Sequence, residues 1–374
     1  MERCDFLIVG AGIAGATAGY HLSPHGTVVL IERESQPGYH TTGRSAAFFV
    51  ESYGNRFIRP LTRASRSFFV EPPEGFTSAP LLGDRGAIYI ARADQLESLS
   101  NLERNITGTV PGARRLTPEE VRDRAPCLRA DYVAAGLFEN DARDIDVHAL
   151  HHGFLGAMRR QGGRVVTDAG LLKLDRVGGW WRARTSCGDF EARTVINAAG
   201  AWGDVVAGLA RARPLGLAPM RRTIIVFPAP PDCDSAAWPL IIDAGERFYF
   251  KPDSGRILAS PADETLMAPC DAQPDELDVA LTIDRIQKAT TLDVPRLDNK
   301  WAGLRTFAPD RTPVVGWDPE VPGFFWFVGQ GGYGMQTAPA MGQMMAGLIV
   351  DGRLPDDLAA LGAAPEHYAL ARFY

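Results

Sequence analysis

The feature that most constrains the fold of this 374-residue chain is an apolar run that leads directly into a glycine motif near the N-terminus. Residues 5–9 read Asp-Phe-Leu-Ile-Val, and Gly10, Gly12 and Gly15 follow at the spacing Gly-x-Gly-x-x-Gly. Gly10 permits a tight turn, Gly12 lets a pyrophosphate approach the backbone, and Gly15 lets a helix lie close on the strand. The stretch therefore predicts a dinucleotide site.

The residues after the motif support this interpretation. A helix begins at Ile13 and Ala14 and ends near Pro24, and a second apolar strand follows over residues 27–31. That strand leads to Glu32, whose carboxylate is placed to accept hydrogen bonds from ribose hydroxyls. An adenosine with a free 2′-hydroxyl therefore fits better than one with a 2′-phosphate.

Composition excludes several classes of partner and site. The net charge of −6 gives no electrostatic footprint for nucleic acid. The five cysteines are scattered and contain no Cys-x-x-Cys pair, which favours thiols in a reducing compartment over a disulfide framework. Three histidines between residues 148 and 152 lack the further ligands of a metal site, so we expect no metal. We expect a cytoplasmic protein without a membrane segment, because the N-terminal apolar run is short.

The order of the predicted elements indicates an α/β fold with two discontinuous domains. Strands at residues 163–167 and 194–197 return to the nucleotide sheet, whereas the alternating, proline-rich pattern after residue 214 predicts an antiparallel sheet. The segment 301–310 is expected to return the chain to the first domain. The predicted boundaries are 1–80, 145–213 and 305–374 for a Rossmann-like nucleotide-binding domain, and 81–144 and 214–304 for an α+β substrate domain.

A polar loop after Glu32 leads into the run Thr-Gly-Arg-Ser-Ala-Ala at residues 42–47. Together with the glycine motif and the acid, this run resembles the D-amino-acid oxidase and sarcosine oxidase superfamily of FAD enzymes, over nearly the whole chain. Within the superfamily, the chain resembles the bacterial catabolic D-arginine dehydrogenases. The resemblance implies that the nucleotide is FAD and that residues 43–47 run beside its pyrophosphate and flavin.

A second glycine-rich turn, residues 329–334, precedes a helix near the C-terminus and also suits FAD. It would aim backbone N–H groups and a helix dipole at the flavin's pyrimidine edge. Attachment is expected to be non-covalent, because residues 301–308 lack the cysteine that sarcosine-oxidase relatives use. The predicted cofactor-binding residues are Gly10, Gly12, Ile13, Ala14, Gly15, Glu32, Arg33, Gly43, Arg44, Ser45, Ala46, Ala47, Val166, Ala199, Gly200, Trp202, Gly331, Gly332, Tyr333, Gly334, Met335 and Gln336.

Two arginines on apolar segments are candidates to bind a substrate carboxylate. Arg222 and Arg305 each offer a planar fork that lysine lacks, and an unpaired arginine in an apolar setting is costly. Sequence alone does not distinguish Arg222 from Arg221. The resemblance implies further roles, with Tyr249 on the carboxylate, the Gly332 carbonyl at the amine and Tyr53 in a loop that closes over the site.

The chain departs from the D-arginine dehydrogenases at two positions of the substrate pocket. Where they carry an acid that pairs with the substrate guanidinium this chain has Ala87, and where they carry a histidine it has Phe48. Glu51 on the lid loop either replaces the missing acid or is simply solvated. The pocket is therefore expected to prefer neutral or aromatic side chains over D-arginine.

The resemblance implies FAD-dependent oxidative deamination of D-amino acids, in which hydride passes from Cα to flavin N5 and the imine becomes a 2-oxo acid and ammonia. Two alternatives stay open. One is a glycine- or sarcosine-type amine oxidase that uses O2, although Leu258 stands where sarcosine oxidases carry an oxygen-activating lysine. The other is a non-catalytic flavin-binding or electron-transfer subunit. The electron acceptor, a quinone or another molecule, is not identified.

Overall fold

The structure is a computed structural model that describes residues 1–110, 112–231 and 233–373. Its strands are β1 (Glu2–Val9), β2 (Val28–Ile31), β3 (Phe48–Phe49), β4 (Leu82–Asp84), β5 (Ala87–Ala91), β6 (Arg114–Leu116), β7 (Ala135–Glu139), β8 (Arg143–Ile145), β9 (Arg164–Val166), β10 (Leu171–Val177), β11 (Trp180–Thr185), β12 (Gly188–Asn197), β13 (Ala218–Pro228), β14 (Leu240–Asp243), β15 (Tyr249–Asp253), β16 (Arg256–Ser260), β17 (Thr265–Leu266), β18 (Asn299–Phe307), β19 (Val314–Trp317) and β20 (Phe324–Val328). Its α-helices are α1 (Ile13–Leu22), α2 (Ile58–Val70), α3 (Leu96–Ile106), α4 (Pro118–Arg124), α5 (Val147–Arg160), α6 (Gly203–Leu209), α7 (Glu276–Ala289), α8 (Gly334–Val350), α9 (Asp356–Ala360) and α10 (Pro365–Tyr368).

The first sheet carries the glycine motif and has a parallel centre. Strands β9, β2, β1, β12 and β20 run parallel in that spatial order, and the β10–β11 hairpin and β19 add antiparallel edges. One face packs against α1, α5 and α8, and α6 packs on the other. This confirms the expected mixed α/β fold, with the carboxyl ends of β1 and β12 at the edge where a doubly wound sheet binds its ligand.

The second sheet is mainly antiparallel and has nine strands. Its order is β17-β13-β16-β15-β14-β5-β7-β6, with β18 beside β13. One face packs against α7 and a core that includes Phe227 and Phe250. The other face carries Ala87, Ile224 and Tyr249 and is turned toward the nucleotide loops. A third, small sheet has the order β3-β8-β4. In the sequence, its strands occur where the chain passes from one large sheet to the other.

The second sheet corrects one expectation from the sequence. Residues 301–310 were expected to return the chain to the nucleotide domain, but β18 pairs with β13 over its whole length, from Ala218 opposite Phe307 to Val226 opposite Asn299. The chain returns to the first sheet only at β19. Local apolar pattern does not reveal this, because it gives no information on which strand a segment pairs with.

No helix in the part of the chain that the structure describes is long and apolar enough to cross a membrane.

The close contact between α1 and β1 generates a prediction at Gly15. A Cβ at Gly15 would lie 1.8 Å from the Gly10 carbonyl oxygen, and backbone cannot move away as a side chain can. G15A is expected to destabilise the protein by about 3 kcal/mol or more, as overpacking does where nothing can yield. The control is G208A in α6, because nothing lies within 4 Å of its added Cβ. Alanine there is expected to stabilise by about 0.5–1 kcal/mol. Denaturant unfolding compares the two, and equal effects would contradict the packing argument.

Candidate active site

A cavity of about 470 Å³ runs between the two large sheets. Its walls come from the glycine motif, the loop after β2, the turn after β12, strands β13, β15 and β18, and the turn before α8. Three residues that were predicted to bind the cofactor do not line the cavity. They are Gly43 in the loop after β2, Tyr333 just before α8, and Gln336 in α8. Gln336 instead donates to the Thr62 hydroxyl and accepts from the Val50 N–H, so it ties α8 to its neighbours.

The glycine motif forms one end of the cavity. Gly10 has φ +101°, and a Cβ there would lie 2.7 Å from the Ala198 carbonyl oxygen, so the turn needs glycine. Glu32 accepts hydrogen bonds from the N–H groups of Ala11 (2.8 Å) and Glu34 (3.0 Å), which fixes its carboxylate beside the motif. The motif residues Gly10, Gly12, Ile13 and Ala14 line the cavity together with Glu32, whereas Gly15, also predicted to bind the cofactor, does not.

His151, one of the three clustered histidines, supports this loop from behind. Its Nε2 lies 2.9 Å from the Ala11 carbonyl oxygen, and because a carbonyl only accepts, Nε2 carries the proton. Burial lowers the pKa of His151 to about 4, so the ring is neutral. The sequence pattern did not reveal this role, which depends on α5 crossing under α1.

The end of the cavity beyond Glu32 is lined by three side chains that pack together, Arg33, His40 and Trp202. Arg33 lies over the Trp202 ring, with its Cζ 4.8 Å from the ring centroid, and His40 packs on the same ring at 4.7 Å. Val166, predicted on this side, does not line the cavity; its carbonyl accepts from the Glu32 N–H within the sheet. Residues 169–172, just after that strand, line the cavity instead.

The loop after β2 closes over the middle of the cavity. Thr42 accepts a hydrogen bond from the Ile13 N–H at the start of α1 (2.9 Å). Arg44 donates to the carbonyls of Ala272 and Ala302 and so ties this loop to the second sheet. Ser45 and Ala46 line the cavity beyond it, whereas the predicted Ala47 does not.

The far end of the cavity brings together most of the predicted substrate residues. The Arg305 guanidinium donates to the hydroxyls of Tyr53 (3.1 Å) and Tyr249 (3.5 Å). A Cβ at Gly332 would lie 2.9 Å from both the Arg305 Nη1 and the Tyr53 hydroxyl, so a side chain there would require Arg305 or Tyr53 to shift. No carboxylate of the described residues lies within 4 Å of Arg305. A partly buried cation without a directly bound carboxylate is typical of a site for an anionic ligand.

The structure distinguishes Arg222 from Arg221. Arg222 lines the cavity on the same face of β13 as Met220, the residue opposite Arg305. Arg221 points to the other face, where the carboxylates of Asp278 (2.8 Å), Asp275 (3.5 Å) and Asp263 (3.7 Å) surround it. Alternation along a strand explains why two adjacent arginines have different surroundings.

Arg222 already has a protein partner. It donates to the Asp263 carbonyl (2.9 Å) and to Glu264 (3.2 Å), and Glu264 is shared with Arg311 (2.7 Å). Burial raises the pKa of the Glu264 carboxyl, but the hydrogen bonds and charges of Arg311 and Arg222 outweigh burial and leave the pKa below its ordinary value. Glu264 is therefore ionised at neutral pH and holds Arg222 in place beside Arg305.

The wall behind Tyr249 is apolar at its surface and charged underneath. Phe48 packs edge-on against Tyr249, and the buried Ala87 lies in the same cluster, but neither lines the open cavity. Lys251 lies under the Phe48 ring, 4.9 Å from its centroid, and pairs with Asp144 (2.9 Å). Phe48 and Ala87, which were expected to make the pocket apolar, thus lie in a cluster behind the cavity wall and not in the wall itself.

Glu51 corrects a second expectation. It was predicted on an exposed lid loop, either solvated or facing the substrate, but it is buried, and its carboxylate accepts from the Arg66 Nε on α2 (2.7 Å). Sequence reasoning also missed Glu139, an acid that stands directly opposite Ala87 on the neighbouring strand β7. Only the strand register, which no local pattern encodes, could have identified it.

An observation that is independent of the glycine motif supports FAD as the ligand of this cavity. The Thr306 hydroxyl, on a residue that is 5% exposed, is buried at the cavity wall without a hydrogen-bond partner in the described part of the chain. Its own carbonyl accepts from the Gly331 N–H of the turn that was predicted to face the flavin (2.9 Å). Buried hydroxyls in proteins are nearly always paired, so this one points to a polar ligand. The residues that would hold FAD are the lining members of the motif, Glu32, and the turns at 199–202 and 331–335.

Comparison with known proteins agrees with this geometry. The family model described as FAD dependent oxidoreductase (DAO) matches residues 5–348. YurR of Bacillus subtilis (strain 168), an uncharacterized oxidoreductase, is 24% identical, with 95% of this chain and 97% of that protein covered. Mitochondrial dimethylglycine dehydrogenase of Mus musculus is 23% identical over 96% of this chain but only 44% of its own length. The crystal structure of glycine oxidase from Geobacillus kaustophilus shares the fold, with a TM-score of 0.82 at 20% identity over 97% of this chain and 99% of that one.

The unpartnered Thr306 hydroxyl predicts that one substitution has opposite effects on the stability of the protein and on its affinity for FAD. T306V is expected to leave the FAD-free protein equally stable or to stabilise it by up to about 1 kcal/mol, because an unpaired buried hydroxyl is replaced by a methyl group. The same change is expected to weaken FAD binding by about 5- to 10-fold, the net worth of one hydrogen bond. Thermal unfolding of the apoprotein and fluorescence titration with FAD measure the two effects.

The matched control is T282V in α7, whose hydroxyl donates to the Asp278 carbonyl far from the cavity. This variant is expected to destabilise the protein slightly without changing FAD affinity. If T306V bound FAD as tightly as the parent protein, Thr306 would not contact the cofactor.

Proposed function

The chain belongs to the DAO family of FAD-dependent oxidoreductases, and from this membership and the site we propose that it catalyses oxidative deamination of D-amino acids with neutral or aromatic side chains. FAD, when bound, accepts the two electrons and the proton that leave the substrate as hydride. The 2-imino acid product then takes up water and gives a 2-oxo acid and ammonia. The chain's own residues bind and orient the substrate.

The observation that carries the proposal is the partly buried Arg305 guanidinium, whose hydrogen-bond partners among the described residues are the hydroxyls of Tyr53 and Tyr249 and not a carboxylate. An α-carboxylate is planar and singly charged, and it matches the arginine fork with two parallel hydrogen bonds. Tyr53 and Tyr249 flank the fork and can each donate to the same carboxylate. Arg222 lies on the same face of the sheet and adds positive charge.

The position of the turn before α8 supports an amine at the next substrate atom. Gly332 is close enough to Arg305 that a side chain would collide with it, so the backbone of this turn borders the carboxylate site. The Gly332 carbonyl is the proposed acceptor for the substrate amine. Fixing both groups orients Cα, and positioning of this kind supplies much of the rate in a reaction that needs no further acid or base once the amine is neutral.

The surroundings of Tyr249 support a neutral side chain. Ile224 and Ala46 line the cavity there, and Phe48 and Ala87 pack behind them. The preference for the D configuration rests on the resemblance of residues 42–47, Arg222, Tyr249, Arg305 and Gly332 to the D-arginine dehydrogenases. Relatives such as glycine oxidase and dimethylglycine dehydrogenase act on small amines by their names, which makes a secondary-amine oxidase the second candidate.

A substrate screen tests the proposed reaction. Under anaerobic conditions, neutral and aromatic D-amino acids are expected to bleach the flavin absorbance faster than D-arginine, L-amino acids, sarcosine or glycine. Air is then admitted, and slow return of the absorbance is expected of a dehydrogenase. Bleaching by N-methyl amines alone, with rapid return in air, would replace the proposal with the oxidase. Bleaching by no amine at all would favour a non-catalytic flavoprotein.

Replacement of Arg305 tests the carboxylate site. R305M is expected to lower kcat/KM for the best D-amino acid by about 10²- to 10³-fold, since a buried charge-assisted pair is worth about 3–4 kcal/mol. FAD should stay bound. R305K keeps the charge without the planar fork and is expected to recover only part of the loss. The control is R92M, because Arg92 lies outside the cavity and binds Asp94 and Tyr132. Parent-like kinetics of R305M would remove Arg305 from the site.

A further inference from the structure

Glu139 is a buried acid that the proposed reaction does not use. It ends β7, is 2% exposed and stands opposite Ala87. Its carboxylate accepts hydrogen bonds from the Glu51 N–H (2.7 Å), the Ser52 N–H (3.3 Å) and the Ser52 hydroxyl. No arginine, lysine or histidine of the described residues forms an ion pair with it. The carboxylate is therefore held by donors from one short loop.

The Ser52 hydroxyl extends this network to Tyr89. The Tyr89 hydroxyl lies 3.0 Å from the Ser52 oxygen, and either hydroxyl can be the donor in that contact. Burial raises the pKa of Glu139 above its ordinary value, although the hydrogen bonds from Ser52 and from the Glu51 N–H oppose that shift. The backbone N–H groups of Glu51 and Ser52 can only donate, so Glu139 holds them whichever way the two hydroxyls point.

The same loop carries Tyr53. Its residues Glu51 and Ser52 are fixed through their backbone by Glu139, and the Glu51 side chain is fixed by Arg66 on α2. The Tyr53 N–H donates to the Val50 carbonyl (3.2 Å), which makes the segment a turn. The next group along is the Tyr53 hydroxyl, 3.1 Å from Arg305. One buried acid on the substrate sheet is thus two hydrogen bonds away from the carboxylate site.

We propose that Glu139 is a positioning residue that holds the loop of residues 50–54 in place, so that Tyr53 is set on Arg305 before substrate arrives. The proposal rests on the proposed function for its kinetic part only. Ala87 matters here because its small side chain is the neighbour of Glu139 across the strand pair. Glu139 therefore attaches the loop to the sheet. Because its carboxylate is bound to the loop, it is not free to pair with a cationic substrate.

The expected kinetic effect depends on the fraction of molecules in which the loop of residues 50–54 is held in place. If only a fraction of molecules have Tyr53 in place, the apparent dissociation constant of the substrate rises by the inverse of that fraction. Once substrate is bound and the loop is in place, the reacting groups are unchanged. Loss of Glu139 should thus raise KM and leave kcat nearly constant.

E139Q is the variant that tests the proposal, because it keeps the size of the side chain and replaces an acceptor oxygen by an N–H donor. Hydrogen–deuterium exchange of the FAD-loaded enzyme is expected to be about tenfold faster in the peptide that covers residues 50–54. KM for the best substrate is expected to rise about tenfold with kcat within twofold, as the population argument requires. S52A removes one donor to Glu139, and we expect smaller increases in the exchange rate and in KM. It serves as the test if E139Q does not fold.

The matched control is D318N. Asp318 is 5% exposed and accepts from the N–H groups of Glu320 (2.9 Å) and Val321 (2.8 Å) and from the Trp326 indole (2.9 Å), far from the cavity. It should lower stability without changing exchange at residues 50–54 or the ratio of KM to kcat.

Each outcome decides between explanations. Unchanged exchange at residues 50–54 in both E139Q and S52A would overturn the proposal. Faster exchange with an unchanged KM would show that the loop is held but does not set substrate affinity, which also overturns it. If no amine is a substrate at all, the exchange measurement still reports on the loop, so failure of the proposed function is distinguished from failure of this inference.

Discussion

The proposed substrate site depends on one partly buried charge, the Arg305 guanidinium, for which the described residues supply no direct ion pair. Partial desolvation of an arginine is costly, and the hydroxyls of Tyr53 and Tyr249 and the more distant charge of Glu264 reduce that cost. A structure keeps such a group where a ligand supplies the missing charge. The pairing of β18 with β13, the loop that carries Tyr53 and the glycine turn before α8 all converge on this point.

The two ends of the cavity differ in how far the sequence could predict them. The dinucleotide end is encoded locally: Gly10, Gly12 and Glu32 lie within a single strand–helix–strand unit, and the structure places them at one wall as expected. The substrate end is assembled from strands that are far apart in the chain. Sequence reasoning named Arg305 as an arginine on an apolar segment and Tyr53 by resemblance. Local pattern could not choose between Arg222 and Arg221, because only the face of β13 decides that.

The errors have the same physical origin. Segment 301–310 was expected to return the chain to the first domain, but its strand pairs with β13 in the second sheet, and an apolar pattern does not encode which strand it pairs with. Glu51 was expected on an exposed loop, but its burial depends on Arg66 and Glu139 from other elements. Glu139 was overlooked because an acid at a strand end is ordinary until the register sets it opposite Ala87. Partner choice and register are non-local properties, which periodicity cannot report.

The distribution of acids supports the proposed preference for a neutral side chain over a cationic one. Three carboxylates near the proposed substrate end already have partners: Glu264 pairs with Arg222 and Arg311, Glu51 pairs with Arg66, and Glu139 accepts from the loop amides. Asp144, behind Phe48, is shared by Lys251 and Arg85. Under the proposed function, a guanidinium side chain would approach Arg305 and Arg222 with none of these acids free to pair with it, whereas an α-carboxylate would be attracted to the same two charges. One electrostatic arrangement would then both bind the amino-acid carboxylate and disfavour a basic side chain.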